Sequence, residues 1–221
     1  MKLINCLTLT FLTVLFTCSS SASTTDDGFT KIFNGENFDG WTILKHPHKR
    51  YQKIVQDENF GHLIKNGAIV TQAAPGNLYT TKQYSDYILR FEFKLEAAAN
   101  NGLALRAPLK GIPAYANFEL QILDNSSKKY AKLKPYQYHG SLYGQKAAKR
   151  GFLKPLGEWN SQEVSIIGTE VKVILNGTVI LEANLKDYKK ATFQRPKGHL
   201  CFAGHGAGVS LREIYIKDLT Q

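Results

Sequence analysis

The feature that most limits the fold of this chain is a series of short β-branched and aromatic runs, separated by turn residues, with almost no helical periodicity. The run "YILRFEFKL" (87–95) alternates strictly, with Leu89, Phe91 and Phe93 on one face and charged residues on the other. A two-residue period of this kind is typical of a strand with one buried face. The pattern predicts an all-β protein.

Two Asn-Gly pairs lie between such runs, in "KNGAI" at 66–67 and in "LNGTV" at 176–177. Both central positions of a type I′ turn need a positive φ angle, which Asn and Gly adopt at low cost, so each pair predicts a hairpin. The number and spacing of the runs match a β-sandwich or jelly roll. No break divides the pattern, and one domain is predicted over 28–221.

The first eighteen residues, "MKLINCLTLTFLTVLFTC", have the pattern of an export signal, because one Lys precedes a mostly apolar run that is short for a membrane span of ~20 residues. "LFTC" before small polar residues resembles a lipoprotein box, which makes Cys18 the lipidated first residue of the mature chain. Ordinary cleavage after Ala22 or Ser23 is the alternative. Residues 19–27 are then a flexible tether. We expect a location in the periplasm or cell envelope, with membrane contact only through a lipid anchor.

The formal net charge of +10 does not by itself predict a nucleic-acid partner. The Lys residues are scattered apart from "KKYAKLK" (128–134), and no zinc, helix-turn-helix or basic-zipper motif is present. Cys201 is the only cysteine in 28–221, so no disulfide can form within that region. We interpret Cys201 as a packing residue, because no base in a known arrangement accompanies it.

The run "FELQILD" (118–124) places polar residues in a strand that otherwise has the pattern of a buried one. Strand alternation puts Glu119 and Gln121 on one face and Phe118, Leu120 and Ile122 on the other. The segment 125–157 that follows is rich in Tyr and cations but has no sustained strand pattern. A loop of this length in a compact domain is functional or disordered, and its aromatic content favours a lid or wall beside the strand.

Eight segments then make the chain recognisable: "FTKIFNGENFDGW", "GNLYTTKQYSDYILRFEFKL", "NNGLALRAP", "YANFELQILD", "HGSLYG", "GEWN", "LNGTVI" and "RPKGHLCFAGHG". In this order they resemble the motif series of the 3-keto-disaccharide hydrolase family, from about Gly28 to Leu219. That family has a concanavalin-like, jelly-roll β-sandwich fold and is common among secreted Bacteroidetes proteins, many of them lipoproteins. The resemblance therefore implies the same fold class as the strand pattern.

The resemblance also implies chemistry on a small oligosaccharide or glycoside whose C3 hydroxyl a separate sugar 3-oxidoreductase has converted to a ketone. A C3 ketone makes the C2 hydrogen acidic, so that a base removes it, the C1 substituent leaves, and hydration completes a net hydrolysis. Such a site needs a base near C2, a positive group near the C3 oxygen and an acid near the leaving oxygen.

Strand alternation gathers the candidates for these roles. Three runs, "GLALRA", "FELQIL" and "GHLCFAGH", each present polar groups beside small residues, opposite their large apolar residues. We expect Glu119 to be the general base, with His205 as the second choice, and Arg106 to hold the enolate oxygen. The expected substrate-binding residues are Gln121, Asp124, His199, Tyr115, Tyr143, Trp159 and Asn160, with Tyr138 as a further aromatic candidate.

Each of these residues also has a purely structural interpretation. The structural alternative is an exposed strand carboxylate for Glu119, a surface ion pair for Arg106, a hydrogen-bonded structural histidine for His199, and a turn residue at a strand end for Asp124. Trp41 in "FDGW" is expected in the core.

Two other functions are open. Some retaining jelly-roll glucanases carry E-x-D-x-x-E on one strand, and Glu119, Gln121 and Asp124 keep that spacing with an amide in place of the middle acid, provided that a bulge turns Asp124 toward the groove. A non-catalytic carbohydrate-binding module is the third interpretation. A divalent ion such as calcium, held by "TTDDG" or "DNSS", is open as a cofactor. The H-x-H pair at 46 and 48 is weak, since a third ligand is missing.

Overall fold

Two antiparallel β-sheets pack face to face in the computed structural model, which describes residues 27–45, 62–72, 76–112, 116–189 and 195–220. The eight-stranded sheet has the order β11-β10-β9-β6-β13-β4-β3, with β1 paired to β13. Its strands are β1 (Thr30–Lys31), β3 (His62–Lys65), β4 (Ala68–Thr71), β6 (Tyr87–Leu95), β9 (Trp159–Ile167), β10 (Glu170–Leu175), β11 (Thr178–Asn184) and β13 (Val209–Asp218).

The five-stranded sheet has the order β2-β5-β12-β7-β8. Its strands are β2 (Trp41–Leu44), β5 (Asn77–Thr80), β7 (Asn100–Ala107), β8 (Phe118–Leu123) and β12 (His199–Ala203). The predicted all-β sandwich is confirmed. The predicted signal peptide, the lipidated Cys18, the tether up to residue 26, Tyr115 and the H-x-H pair lie outside the described residues. Within the described residues, no helix is long and apolar enough to cross a membrane.

The alternation read from 87–95 is the alternation of β6. Leu89, Phe91 and Phe93 are buried, whereas Arg90 is exposed on the outer face of the sheet. The ring of Phe91 meets Phe202 of the other sheet edge to face at 5.5 Å, so the two sheets share one core. Burial of each such side chain contributes about 2 kcal/mol, and this shared core joins the sheets.

Both Asn-Gly pairs form the expected hairpin turns. Asn176 and Gly177 join β10 to β11 with φ angles of 48° and 83°, and Asn66 and Gly67 join β3 to β4 with 52° and 72°. Positive φ at both positions matches the right-handed twist of the flanking strands. Local turn chemistry therefore sets these two registers.

The long segment after β8 forms a wall along the edge of the five-stranded sheet. It contains two short 3₁₀ turns, Lys128–Tyr130 and Pro135–Gln137, and only isolated bridges rather than a strand. Leu142 forms one such bridge with Leu120, flanked by hydrogen bonds from the Gln121 amide to the Ser141 carbonyl and from the Tyr143 amide to the Glu119 carbonyl. The wall covers the open edge of β8 and blocks pairing with another chain there.

A β-bulge interrupts the pairing of β7 with β12. The register passes from Cys201 opposite Ala104 to His199 opposite Ala107, and Arg106 has a φ angle of 50°. Such an insertion reverses the alternation downstream of it. Ala104 and Ala107, three residues apart, consequently belong to one cluster on the same face.

Candidate active site

A row of paired residues crosses the outer face of the five-stranded sheet. Tyr79 of β5 lies opposite Cys201 of β12, Cys201 lies opposite Ala104 of β7, and Ala104 lies opposite Glu119 of β8. Directly paired residues on antiparallel strands point to the same face. Glu119 therefore shares its face with the two small residues in the middle of the row.

Small residues form a floor along the two middle strands of this face. Gly102, Ala104 and Ala107 lie on β7, and Cys201 and Ala203 lie on β12. The larger Tyr79 and Glu119 stand on the strands to either side. Two of the three expected strands, β7 and β12, present these small residues on one face, and all five small residues are buried.

Glu119 lies flat across this floor. A Cβ atom on Gly102 would lie 1.4 Å from the Oε1 atom of Glu119, so the carboxylate occupies the space that any other side chain at position 102 would fill. Only glycine allows this approach. The absence of a side chain at one position thus determines where the carboxylate rests.

Glu119 and His205 are in direct contact, with 2.9 Å between Oε1 and Nε2. Glu119 is 2% exposed, and the His205 side chain is 21% exposed. Since an ionised carboxylate only accepts hydrogen bonds, Nε2–H of His205 donates to it. The imidazole is therefore the member of the pair that reaches the surface, and the carboxylate lies behind it.

The exposed edge of His205 borders a cavity of about 420 Å³. Its other walls are the loop after His205, the turn between β6 and β7, and the first 3₁₀ turn of the long segment; they include Gly206, Ala98, Asn100, Lys129 and Tyr130. Gln121, on the same face as Glu119, donates from Nε2 to Oδ1 of Asn100 at 3.4 Å. This contact links the floor to the cavity.

Tyr143 flanks the pair from the wall, because its backbone pairs with Glu119 and its side chain therefore points to the same face. Its hydroxyl accepts a hydrogen bond from Nε2 of Gln137 at 2.9 Å, which fixes the ring. Tyr143 is thus near the site, as expected. Tyr138 is instead buried, with its hydroxyl bonded to the Tyr130 carbonyl.

Cys201 and Tyr79 are neutral members of the row. Burial raises the pKa of the Cys201 thiol well above its usual value, the hydrogen bond with Tyr79 opposes that rise, and the nearby Glu119 adds to it. Burial likewise raises the pKa of the Tyr79 phenol. A thiol held neutral is a poor nucleophile, which agrees with its interpretation as a packing residue.

Arg106 does not join this group. The bulge places it on the face opposite Ala107, so the prediction that it shares a face with Ala104 is wrong. Its guanidinium pairs with Asp86 at 2.7 Å and donates to the carbonyls of Ser85 and Gly168 at 2.8 Å, tying β7 to the other sheet. Arg106 is a structural residue that is 4% exposed.

His199 is buried and already bonded at both ring nitrogens. Nδ1 lies 2.6 Å from the Thr80 carbonyl, to which it must donate, and Nε2 lies 3.2 Å from the Gln83 amide nitrogen. The ring is therefore a neutral tautomer held between β5 and β12. Of the two interpretations given to His199, this geometry favours the structural one.

Asp124 closes the turn at the end of β8 rather than facing the floor. It accepts hydrogen bonds from the Ala98 amide and from the amide and hydroxyl of Ser126. Burial opposes ionisation, but the bonds from Ser126 and Ala98 outweigh it and lower the pKa of Asp124. The bulge that would bring Asp124 beside Glu119 does not form, and the pairing of β8 with β7 is regular.

Trp159 and Asn160 belong to the other sheet. Trp159 starts β9 and lies opposite Lys94, on the outer face of the eight-stranded sheet. Asn160 is buried and accepts hydrogen bonds from the Lys154 amide and the Asn176 side chain. Neither residue lies on the sheet that carries Glu119, so the structure does not bring them together with it as expected.

Comparison with known proteins identifies the family of this chain. The family model described as the 3-keto-alpha-glucoside-1,2-lyase-like domain matches residues 28–217. The chain belongs to this family. A curated relative from Bacteroides thetaiotaomicron, named 3-keto-disaccharide hydrolase, is 26% identical over 172 residues, which are 72% of this chain and 59% of the relative. The chain thus spans about three fifths of the length of that relative.

Solved structures share the fold. A candidate glycosyl hydrolase from Parabacteroides distasonis superposes with a TM-score of 0.73 at 24% identity, covering 90% of this chain and 99% of the other. The endo-β-1,3-glucanase of Pyrococcus furiosus gives a TM-score of 0.54 at 16% identity, with 89% and 97% covered. The family's concanavalin-like, jelly-roll sandwich is therefore the fold of this chain.

The described residues of this family member do not form a metal centre. No group of three His, Cys, Asp or Glu side chains lies close enough within them to hold an ion. Glu119 and His205 supply two donors at most, and the carboxylate of Asp124 in "DNSS" is engaged by Ser126 and Ala98.

Two features of the site escaped the sequence reasoning. Lys129 lines the cavity beside His205, although no role in the site was predicted for "KKYAKLK". The Glu119 carboxylate occupies the space above Gly102, although in "NNGLALRA" this residue was only one glycine within a predicted strand. A glycine within a strand often marks a place where another group approaches the backbone closely. The sequence therefore contained a signal for this contact.

Proposed function

We propose that this family member is a carbohydrate-active enzyme that cleaves the glycosidic bond of 3-keto-glycosides by elimination and hydration. The observation that carries the proposal is the 2.9 Å contact between Glu119 and His205 at the border of a cavity. Membership of the family and the relative's name, 3-keto-disaccharide hydrolase, support the substrate class.

His205 is the group that takes the C2 proton in this proposal. Because Nε2–H is donated to Glu119, the lone pair of the neutral imidazole is on Nδ1. His205 is also the more exposed member of the pair, so the sugar meets the imidazole before the carboxylate. This reverses the order expected from the sequence, in which Glu119 was the first choice for the base.

Glu119 positions the imidazole and stabilises its charged form. Its carboxylate fixes the tautomer through Nε2 and offsets the positive charge that His205 gains with the proton. The floor at Gly102 keeps the carboxylate in this place. Glu119 is therefore a positioning residue in the proposed mechanism, and its role depends on His205.

The proposed reaction conserves atoms and charge at each step. The C2–H bond breaks, its proton moves to Nδ1, and the electron pair makes the C2–C3 enolate. The ketone then re-forms, a C1–C2 double bond appears, the C1–O bond breaks, and the leaving oxygen takes the proton back from the imidazolium. Water adds its oxygen to C1 and a proton to C2, which restores the 3-keto sugar and completes a net hydrolysis.

The enolate oxygen needs a positive neighbour, and Lys129 is the candidate. Arg106 is bound to Asp86 and to backbone carbonyls, away from the floor. Lys129 lies on the cavity wall, where its amide donates to the Ser127 hydroxyl and its ammonium group lies 5.3 Å from the centre of the Tyr130 ring. A cation aimed at developing negative charge is among the largest contributions to such a reaction.

The proposed 3-keto substrate implies that another enzyme acts before this one. The 3-keto group must come from a separate oxidoreductase that oxidises the C3 hydroxyl, and this enzyme acts on its product. Export, with Cys18 as a lipid anchor, stays a prediction from the first eighteen residues.

The retaining-glycosidase alternative has weaker support. That chemistry needs two carboxyl groups about 5–5.5 Å apart. Glu119 has Gln121 rather than an acid beside it on its face, and Asp124 is held in a turn by Ser126 and Ala98. No observation favours this alternative, and the same experiment tests it.

The test compares a 3-keto-disaccharide with its unoxidised parent. We expect sugar release from the keto substrate only, with exchange of the C2 hydrogen for deuterium in heavy water as the sign of proton removal. Glu119→Gln should lower kcat by about 100-fold or more, whereas Glu163→Gln, paired with Arg90 on the other sheet, should not. Release from the parent supports a glycosidase, and binding without release supports a binding module; either result overturns the proposal.

A further inference from the structure

A second row of paired residues crosses the outer face of the eight-stranded sheet. Val70 of β4 lies opposite Ser210 of β13, Ser210 lies opposite Lys94 of β6, and Lys94 lies opposite Trp159 of β9. This row is on the other sheet from Glu119 and His205. Glu96 borders both this surface and the cavity beside His205, but no residue of the row takes part in the proposed reaction.

The side chains of this surface enclose a hollow of about 460 Å³, which we call the basic hollow. Small residues of β4 and β13 form its floor, and long side chains form its rim. The floor is Ala68, Val70 and Ser210, and the rim includes Lys65, Lys94, Arg212 and Trp159. Small residues thus form a floor on this sheet as on the other, with cations rather than a carboxylate beside them.

The charge of the basic hollow is positive. Arg212 pairs through Nε with Glu92 at 2.7 Å. Lys65 and Lys94 take part in none of the ion pairs of the described residues. Glu96 is the one carboxylate on the rim. Three cations against two carboxylates, Glu96 on the rim and Glu92 beside Arg212, leave a positive balance that favours an anionic ligand.

Trp159 organises the cations. Its ring lies 5.0 Å from Nζ of Lys94 and 4.0 Å from the guanidinium carbon of Arg212, so the indole holds both charges at the rim. The indole is only partly buried. A pyranose ring has apolar C–H faces that pack on such a surface, while a carboxylate on the ring meets the cations.

We propose that the basic hollow is a second carbohydrate-binding site, and that it takes an acidic oligosaccharide whose uronate carboxylate lies against Lys94 and Arg212. The proposal does not depend on the function of the Glu119–His205 pair, because no residue of its row lies on that sheet.

Trp159 offers a direct test. The chain contains two tryptophans, and Trp41 is buried in the core. In a Trp41→Phe protein the fluorescence comes from Trp159 alone. Titration with trigalacturonate should shift that emission, and the neutral maltotriose should not. Calorimetry on the unaltered chain measures the same binding, in case the Trp41→Phe protein does not fold.

Three variants separate the basic hollow from general attraction to a basic protein. Lys94→Met and Arg212→Met should each weaken trigalacturonate at least tenfold, because each removes a charge-assisted hydrogen bond. Lys172→Met, on the exposed face of β10 outside the hollow, should leave the affinity unchanged. Equal binding of maltotriose, equal loss in Lys172→Met, or full affinity in both rim variants would each overturn the proposal.

Discussion

The carboxylate of Glu119 rests in the space that a side chain at Gly102 would occupy, with Oε1 1.4 Å from the ideal Cβ position. The two residues lie on neighbouring strands, and Gly102 is directly opposite Gln121. The missing side chain lets the carboxylate lie across β7 and reach His205. The proposed acid-base pair therefore depends on a residue that has no functional group.

Gly102→Ala should consequently inactivate the enzyme through geometry. The new methyl group must displace the Glu119 side chain, and a misplacement of about 1 Å can cost about 100-fold in rate. We expect kcat for a 3-keto-disaccharide to fall by about that factor, together with a lower melting temperature.

The matched control for this prediction is a double-mutant cycle. In a Glu119→Ala background the carboxylate is absent, so Gly102→Ala should cost much less unfolding free energy than it costs in the unaltered chain. Equal costs in the two backgrounds would mean that the clash lies elsewhere.

Lys129→Met should slow the reaction without preventing folding. Lys129 is exposed and lines the cavity beside His205, so removal of its charge should leave the fold intact and destabilise the proposed enolate. We expect kcat to fall about 10- to 100-fold with little change in KM. Lys128 is its neighbour in the same turn and does not line the cavity. A Lys128→Met protein should be as active as the unaltered chain; if the two variants behave alike, Lys129 has no special role.

Arg106→Met should affect stability rather than catalysis. The guanidinium is buried and pairs with Asp86, besides three backbone carbonyls within hydrogen-bond distance. Loss of one partner of such a buried pair costs roughly 3 kcal/mol of unfolding free energy. Chemical denaturation measures this loss. At a temperature where the variant stays folded, kcat should be unchanged. A large fall in kcat would instead show that Arg106 takes part in catalysis.

His139 should make the protein sensitive to acid. It is buried, stacks on Phe93 at 4.9 Å, and its Nε2 lies 3.0 Å from the Gln162 side chain. Burial lowers the pKa of His139 from 6.5 to about 4, although the hydrogen bond with Gln162 opposes this shift.

The direction of the change in unfolding free energy with pH follows from this lowered pKa. Above pH 6.5 the ring is neutral in both the folded and the unfolded chain, and stability is not affected. Between pH 6.5 and about 4 the unfolded chain binds the proton first, so the unfolding free energy falls, by about 3 kcal/mol at about 1.36 kcal/mol per pH unit. Denaturant titrations from pH 7 to 4 should show this fall in the unaltered chain and a shallower one in His139→Gln. Parallel curves would assign the acid sensitivity to other groups.

Individual elements show how much of the structure could be predicted from the sequence. The strand at 87–95 and the hairpin at Asn176 and Gly177 were correct, because alternation and turn chemistry act over a few neighbouring residues. The short strands β2 (Trp41–Leu44) and β5 (Asn77–Thr80) were not singled out as strands, since four residues carry little periodicity. Arg106 was placed on the wrong face, because alternation does not foresee a bulge.

The amino-acid sequence alone determined the all-β class, the hairpin turns, the family, and the presence of Glu119 on a polar face of an otherwise apolar strand. Each of these depends on side-chain chemistry and on short spacings along the chain, which are the same before and after folding. Only the tertiary structure decided that His205 meets Glu119, 86 positions away along the chain, that Lys129 borders the cavity beside His205, and that Trp159 lies on the opposite sheet. Those relations depend on which strands become neighbours, and strand order is set by packing of the whole core rather than by any local run of residues.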